Sequence, residues 1–201
     1  MIQRTLLFLL IFTTCGFAQN DSTLLDSVSL MQAKAYTDLD SALKNPDKVY
    51  KLILRKKKYK TFPKEIARFK NLQYLDISKN NIEEIPSEAV NLDKMQYFYC
   101  SRCKLKSLPN FINKWKHLKY INVNQNEIEN IPESFCELEE LQVADLWDNN
   151  LSGFPECMAK LKSLRLMDLR GILINQEKQN YIQALLPYTK IYFSPPCKCS
   201  W

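Results

Sequence analysis

The chain has 201 residues, 46% of them hydrophobic and 25% charged, with a formal net charge of +6. That length allows one domain with a sizeable core, and the mild basic excess favours acidic contacts without specifying nucleic acid. Only three glycines occur, Gly16, Gly153 and Gly171, so no cluster exists to let backbone amides wrap a phosphate.

The N-terminus has the layout of an export signal. Arg4 supplies a positive charge, an apolar run over 6–12 follows, and Gly16-Phe17-Ala18 places small residues before a cut ahead of Gln19. The run is too short to span a bilayer, so residues 1–18 are expected to be removed and the product secreted or periplasmic. That segment holds one arginine and no acidic residue, which leaves a balance of +5. Lipidation of Cys15 is the alternative, disfavoured by the approach Phe12-Thr13-Thr14. No later stretch is apolar enough for a membrane span.

Residues 19–35 lack periodicity and are expected to form a linker, with Leu30-Met31 as the apolar pair available to dock. Residues 36–48 carry a capping element. Its run 37–43 predicts a short helix stopped before Asn45-Pro46, with Leu39, Ala42 and Leu43 covering the first strand.

Internal self-similarity then takes over. Val49, Leu72, Met95, Leu118, Leu141 and Leu164 are spaced by 23 residues. Three positions on stand Leu52, Leu75, Phe98, Ile121, Ala144 and Met167, and two further on Leu54, Ile77, Cys100, Val123, Leu146 and Leu169. The second half of each unit repeats too, as an apolar residue before Pro63, Pro86, Pro109, Pro132 and Pro155, and another three residues after it. The first half predicts a short strand with alternate side chains inward, and proline ends the ladder and starts an outer segment. One such unit cannot bury its apolar edge, whereas stacked units share one core.

The spacing, cleanest in Leu72-x-x-Leu75-x-Ile77-x-x-Asn80-x-Ile82-x-x-Ile85-Pro86, resembles the leucine-rich-repeat family over about residues 49–171. The resemblance implies an α/β solenoid: a right-handed curved coil with a parallel concave sheet and helical caps at both ends. It also implies that Asn80, Asn126 and Asn149 bond backbone groups of the turn after each strand. Cys103 stands in that place in the third unit, and Lys57 and Ile172 in the first and last. Residues 172–201 are expected to hold a C-terminal cap helix from about 176 to 186, capped by Asn175 and burying Tyr181, Ile182, Leu185 and Leu186. An edge strand Lys190-Ile191-Tyr192-Phe193 and a cysteine tail follow.

Side chains not turned inward face the concave side. They place an aromatic stripe, Tyr74, Tyr97, Tyr99 and Tyr120 with Trp147 beside it, between a basic end (Arg55, Lys56, Lys79, Arg102) and an acidic one (Asp145, Asp148, Asp168). Tyr, Trp and Arg anchor interfaces because each joins a large contact area to a polar handle. The competing explanation is β-propensity, since tyrosines also stabilise sheets by stacking across strands. The resemblance implies a non-enzymatic protein-binding module. A glycan or anionic surface polymer on the same tyrosines is the alternative, and thiol redox chemistry a remote one. Lysines 56–58 and Lys60 suit an anionic ligand or simple protection of a terminal edge, and export argues against nucleic acid.

Six cysteines follow Cys15. Cys100 and Cys103 occupy inward positions, where thiols pack as small hydrophobes rather than as a redox or zinc pair. Cys197 and Cys199 lie roughly 19 Å away at about 4.8 Å per strand, too far to share a metal with them. Cys136 and Cys157 fall on the outer side of adjacent units, where a bridge needs Cα atoms within about 7 Å, and Cys197 or Cys199 of the tail is an alternative partner for either one. His117, the single histidine, sits at a junction between units with no nucleophile in a matching column. No catalytic residue, metal site or cofactor is expected.

Overall fold

The computed structural model describes residues 24–198. The expected export signal (1–18), its cut before Gln19, the alternative anchor Cys15 and the tail residue Cys199 lie outside the described residues. The described chain forms one open sheet of eight parallel strands in sequence order. These are β1 (Ala35–Tyr36), β2 (Lys51–Ile53), β3 (Tyr74–Asp76), β4 (Tyr97–Tyr99), β5 (Tyr120–Asn122), β6 (Val143–Asp145), β7 (Leu166–Leu169) and β8 (Lys190–Phe193).

The register follows the 23-residue period: Leu75 pairs with Phe98, Phe98 with Ile121, Ile121 with Ala144 and Ala144 with Met167. All the inward positions of these strands are buried, and one apolar cluster runs without a break from Tyr36 to Leu186. Leu146 is buried and Tyr97 is not, as the alternation of the pleat requires. Trp115, fully buried, extends the core toward the outer side and donates its indole N–H to Ala89 O (3.0 Å).

The outer segments are short 3-10 helices rather than merely extended chain. Those at Lys64–Arg68, Ser87–Asn91, Glu133–Glu137 and Glu156–Lys160 each have a proline as the residue before the first turn. The proline ring fixes φ in a range a helix start accepts, and its carbonyl receives the first bond, as from Ile66 N to Pro63 O (3.1 Å). The third unit departs: its helix, Ile112–Lys114, starts after Phe111.

Both ends are covered. Helix α2 (Leu39–Leu43) starts at Asp38, whose carboxylate accepts from Ser41 N (2.7 Å), and it buries Ala42. Leu39 and Leu43 pack partly buried against the cluster. At the other end α3 (Gln176–Leu185) starts at Asn175, whose side chain accepts from Lys178 N (2.8 Å). Ile182 and Leu186 are buried, with Tyr181 and Leu185 partly so. Strand β8 closes the sheet beside β7.

Two features differ from the sequence reading. The sheet begins one strand earlier, with the two-residue β1 paired to Lys51 and Leu52. Within the stretch read as a linker (19–35), residues 27–32 form a helix, α1 (Ser27–Gln32), capped by Asp26 and burying Leu30. Three spaced serine and aspartate residues and one leucine carry no period, so tertiary contacts rather than pattern order this segment.

Candidate functional site

Three-residue strands leave only two outward columns on the sheet proper. The first carries Lys51, Tyr74, Tyr97, Tyr120, Val143 and Leu166, and the second Ile53, Asp76, Tyr99, Asn122, Asp145 and Asp168. The four expected tyrosines come together as one cluster. Tyr99 nests between Tyr74 and Tyr120, with ring centroids 5.1 and 5.0 Å away. Tyr97 stacks between the same two rings at 6.1 and 6.4 Å. Such separations are those of attractive aromatic pairs. Burial pushes the phenols of Tyr74, Tyr99 and Tyr120 up, so all three keep their protons at neutral pH. The Lys51 ammonium lies over the Tyr74 ring at 5.1 Å, a cation–π contact at the basic end.

The remaining candidates sit elsewhere. Lys56, Lys79, Arg102, Gln125, Asp148 and Gly171 all have positive φ, between 52° and 76°, so they mark the corner where the chain leaves the sheet. Lys79 and Arg102 are therefore corner residues rather than strand residues. Their crowding is physical: the neighbouring Lys56 and Arg102 charges pull the Lys79 ammonium below the usual lysine value. Trp147 does not join the tyrosines. Its indole nitrogen lies 3.2 Å from where a Cβ on Gly171 would stand, at the opposite end of the face.

Several of the expected contact residues already have partners in the chain, and Arg102 donates from Nε to Gln125 Oε1. Arg55 Nε is 3.5 Å from the buried carboxylate of Asp76. Asp168 receives Nη2 (2.6 Å) and Nε (3.0 Å) of Arg170, a two-pronged pair. Tyr97 donates its hydroxyl to Ser27 Oγ (2.8 Å). Asp145 differs from these. Asn122 and Asn124 donate to its Oδ2 at 2.8 and 2.7 Å, and desolvation raises its carboxyl above the ordinary value against those bonds.

Beneath the corner runs the amide ladder that the asparagine positions imply. Asn126 Nδ2 donates to Cys100 O and Val123 O (both 2.8 Å), and its Oδ1 accepts from Cys103 N and Leu105 N (3.2 and 3.1 Å). Asn80 and Asn149 repeat the pattern. Cys103 fills the gap with its thiol, 3.5 Å from Ile77 O. A hydrogen bond from Cys100 lowers the Cys103 thiol from its ordinary value, helped by the Asn80 and Ile82 amides, whereas burial pushes Cys100 well up.

On the outer side Cys136 and Cys157 are joined, with Cα atoms 5.6 Å apart; Cys197 is also disulfide-bonded. A hollow of about 590 Å³ lies on that side, lined by Cys136, His117 and Glu140 among others, away from the tyrosines. His117 Nδ1 stands 2.9 Å from Glu140 Oε1, a part-buried contact between adjacent units.

One set of residues was missed by reading columns of outward side chains. Gln73 and Gln96 lie just before β3 and β4 and are fully buried. Gln96 Nε2 donates to Gln73 Oε1 (2.8 Å) and Lys119 Nζ to Gln96 Oε1 (2.7 Å), a polar ladder along the N-terminal ends of the strands. The signal was present as long polar side chains at the 23-residue spacing, Gln73, Gln96, Lys119, Gln142 and Arg165.

Two family models match the chain, one for leucine-rich repeats in two copies over residues 70–113 and one for the leucine-rich repeat over residues 116–174. No curated protein sequence matches at a significant level. Among solved structures, a leucine-rich-repeat protein of Leptospira interrogans is 30% identical with a TM-score of 0.64, covering 72% of this chain and 36% of that one. Internalin C2 of Listeria monocytogenes is 20% identical with a TM-score of 0.65, covering 79% and 66%. The plant peptide hormone receptor RGFR1, solved in complex with RGF2, is 24% identical with a TM-score of 0.61, covering 80% and 26%. The chain thus spans between a quarter and two thirds of these structures.

Proposed function

The chain belongs to the leucine-rich-repeat family, and from that premise we propose that it is an exported protein-binding module whose concave sheet grips a polypeptide partner without chemistry of its own. The observation that carries this reading is the tyrosine cluster. Four large rings are held rigid by one another, half-buried, in the middle of an open sheet. Rigid aromatics lose little conformational entropy when a partner covers them, so contact area converts efficiently into affinity.

Electrostatics would orient the partner. Lys56, Lys79 and Arg102 crowd one corner strip, while Asp145 and Asp148 stand further along, so a segment with acidic residues at one end and basic residues at the other fits. The Cys136–Cys157 bridge supports an oxidising compartment, in keeping with the export signal. That a plant peptide hormone receptor of the same fold has been solved in complex with RGF2 supports a peptide or protein as the ligand class.

The test is a partner captured by co-purification from the producing cell and titrated against Tyr99→Ala and Trp147→Ala. Each is expected to weaken binding by roughly 2 kcal/mol, about thirtyfold in Kd, whereas Lys64→Ala on the outer side leaves it unchanged. Full affinity in both aromatic variants overturns the assignment of this face.

A further inference from the structure

One stretch of the concave face is already occupied, by the chain itself. Leu25 N donates to Gln73 Oε1 (2.9 Å), and Leu25 O accepts from Gln96 Nε2 (2.8 Å). Two buried glutamines thus read both main-chain groups of one residue, as a neighbouring strand would. Two residues on, Ser27 Oγ accepts the Tyr97 hydroxyl (2.8 Å), and Met31 O accepts from Lys51 Nζ (2.8 Å). These contacts carry residues 25–31 across the N-terminal ends of β4, β3 and β2. Leu30 is fully buried yet stands outside the continuous repeat core, so its leucine side chain is a plug set into this surface rather than part of the spine.

The fit is incomplete. Gln73 Nε2 is buried with no hydrogen-bond partner among the described residues. Turning the amide over would not help, because Oε1 already takes two donors. A buried donor left in this state favours any occupant that satisfies it. The segment's other face is also poorly placed: Leu24, Val28 and Met31 are exposed, Val28 by 66%. A segment whose helix has six residues, held by one buried side chain and four polar contacts, is easily exchanged.

We propose that Gln73, Gln96, Tyr97 and the Leu30 seat form a peptide-recognition subsite, for which residues 24–32 are a resident ligand that a partner segment displaces. The partner's chemistry is set by what is bound now. It presents the amide and carbonyl of one residue to the glutamines, a small hydroxyl side chain two residues later, and a leucine-like side chain five residues later. An extra main-chain carbonyl within reach of Gln73 Nε2 gives the partner an advantage over the resident segment. The inference rests on the protein-binding reading above, and it adds to that reading a sequence pattern and a built-in competitor.

The test uses a fluorescently labelled synthetic peptide of residues 24–34 and the full-length chain carrying Leu30→Asp. The charged residue cannot occupy the buried seat, so the subsite is left open while the repeat core, which excludes Leu30, stays intact. The variant is expected to bind the peptide at least tenfold more tightly than the wild-type chain, whose tethered segment competes at an effective concentration in the millimolar range. A peptide with Leu30→Asp is expected not to bind, and Tyr97→Phe in the opened chain is expected to weaken binding several-fold. Equal binding by the two chains overturns the proposal, as does no binding by a Leu30→Asp chain whose urea unfolding matches the wild type. Hydrogen exchange on the wild-type chain needs no variant: slow exchange at the Leu25 amide is expected, and exchange at the free-chain rate overturns the proposal. A wild-type dimer that Leu30→Asp dissolves would place a second copy's segment in the seat and overturn the assignment to a separate partner. No captured partner is required, so this test and the Tyr99→Ala test can fail independently.

Discussion

Single side chains decide how well each turn under the sheet is satisfied. Asn126 supplies two donors and one acceptor to backbone groups that no water reaches. Cys103 offers one weak thiol in the same place, with Ile77 O at 3.5 Å. Cys103→Asn is therefore expected to stabilise the protein by about 1 kcal/mol, the net value of an added buried hydrogen bond, read from the midpoint of urea unfolding. Asp145 is the converse case, a carboxylate held where burial opposes its charge. Desolvation raises its folded value above the ordinary 3.8, so the folded state keeps a proton that the unfolded state has released. Stability then falls as pH rises from 3.8 through the raised value, and levels off above it. Asp145→Asn removes that charge and keeps an oxygen for Asn122 and Asn124. It is expected to raise stability at neutral pH, with the gain vanishing below the ordinary carboxylate range, as unfolding at several pH values would reveal.

Elements in this protein are too short to stand alone. A three-residue strand and a one-turn 3-10 helix bury their apolar sides only against copies of themselves in the adjacent units. Proline before four of the five outer helices between Lys64 and Lys160 removes an amide that would lack a partner there, and the positive-φ corner lets the chain leave the sheet. Gly171 takes that corner at φ 76°, where a Cβ would meet Asp148 Cα at 3.0 Å. Between outer helices Glu133–Glu137 and Glu156–Lys160, the Cys136–Cys157 bond closes a loop of 21 residues. A loop of that size is associated with about 3 kcal/mol of stabilisation. Cys157→Ser is expected to lower the unfolding free energy by that order, measured by urea unfolding beside the oxidised wild type.

The whole molecule is one continuous spine rather than a series of independent beads. The apolar cluster is unbroken from Tyr36 to Leu186, so damage at the centre is felt at both ends. Ile121→Ala, in the middle strand, is expected to cost about 3 kcal/mol through lost burial and a residual cavity. Thermal unfolding followed by tyrosine and tryptophan signals should still give one transition; two separated transitions would show that the halves unfold independently. The same continuity leaves the concave side open, because the strands are parallel and the sheet does not close. A stiff, open and aromatic surface is what the proposed gripping requires, and a segment of the chain already lies on part of it.

The sequence by itself determined the repeat, the inward set of side chains and the identity of the tyrosine stripe. A period of 23 and a pleat of two fix which residues point where, and periodicity is visible without coordinates. The cap at Asn175 and a short capped helix within 37–43 were legible for a similar reason, since capping is local. Tertiary structure alone decided the rest. It ordered residues 27–32 on the sheet, paired Arg55 with Asp76 and Arg170 with Asp168, separated Trp147 from the tyrosines and joined Cys136 to Cys157. Each of these depends on distances between atoms that no period relates, so only the folded chain could bring them together or hold them apart.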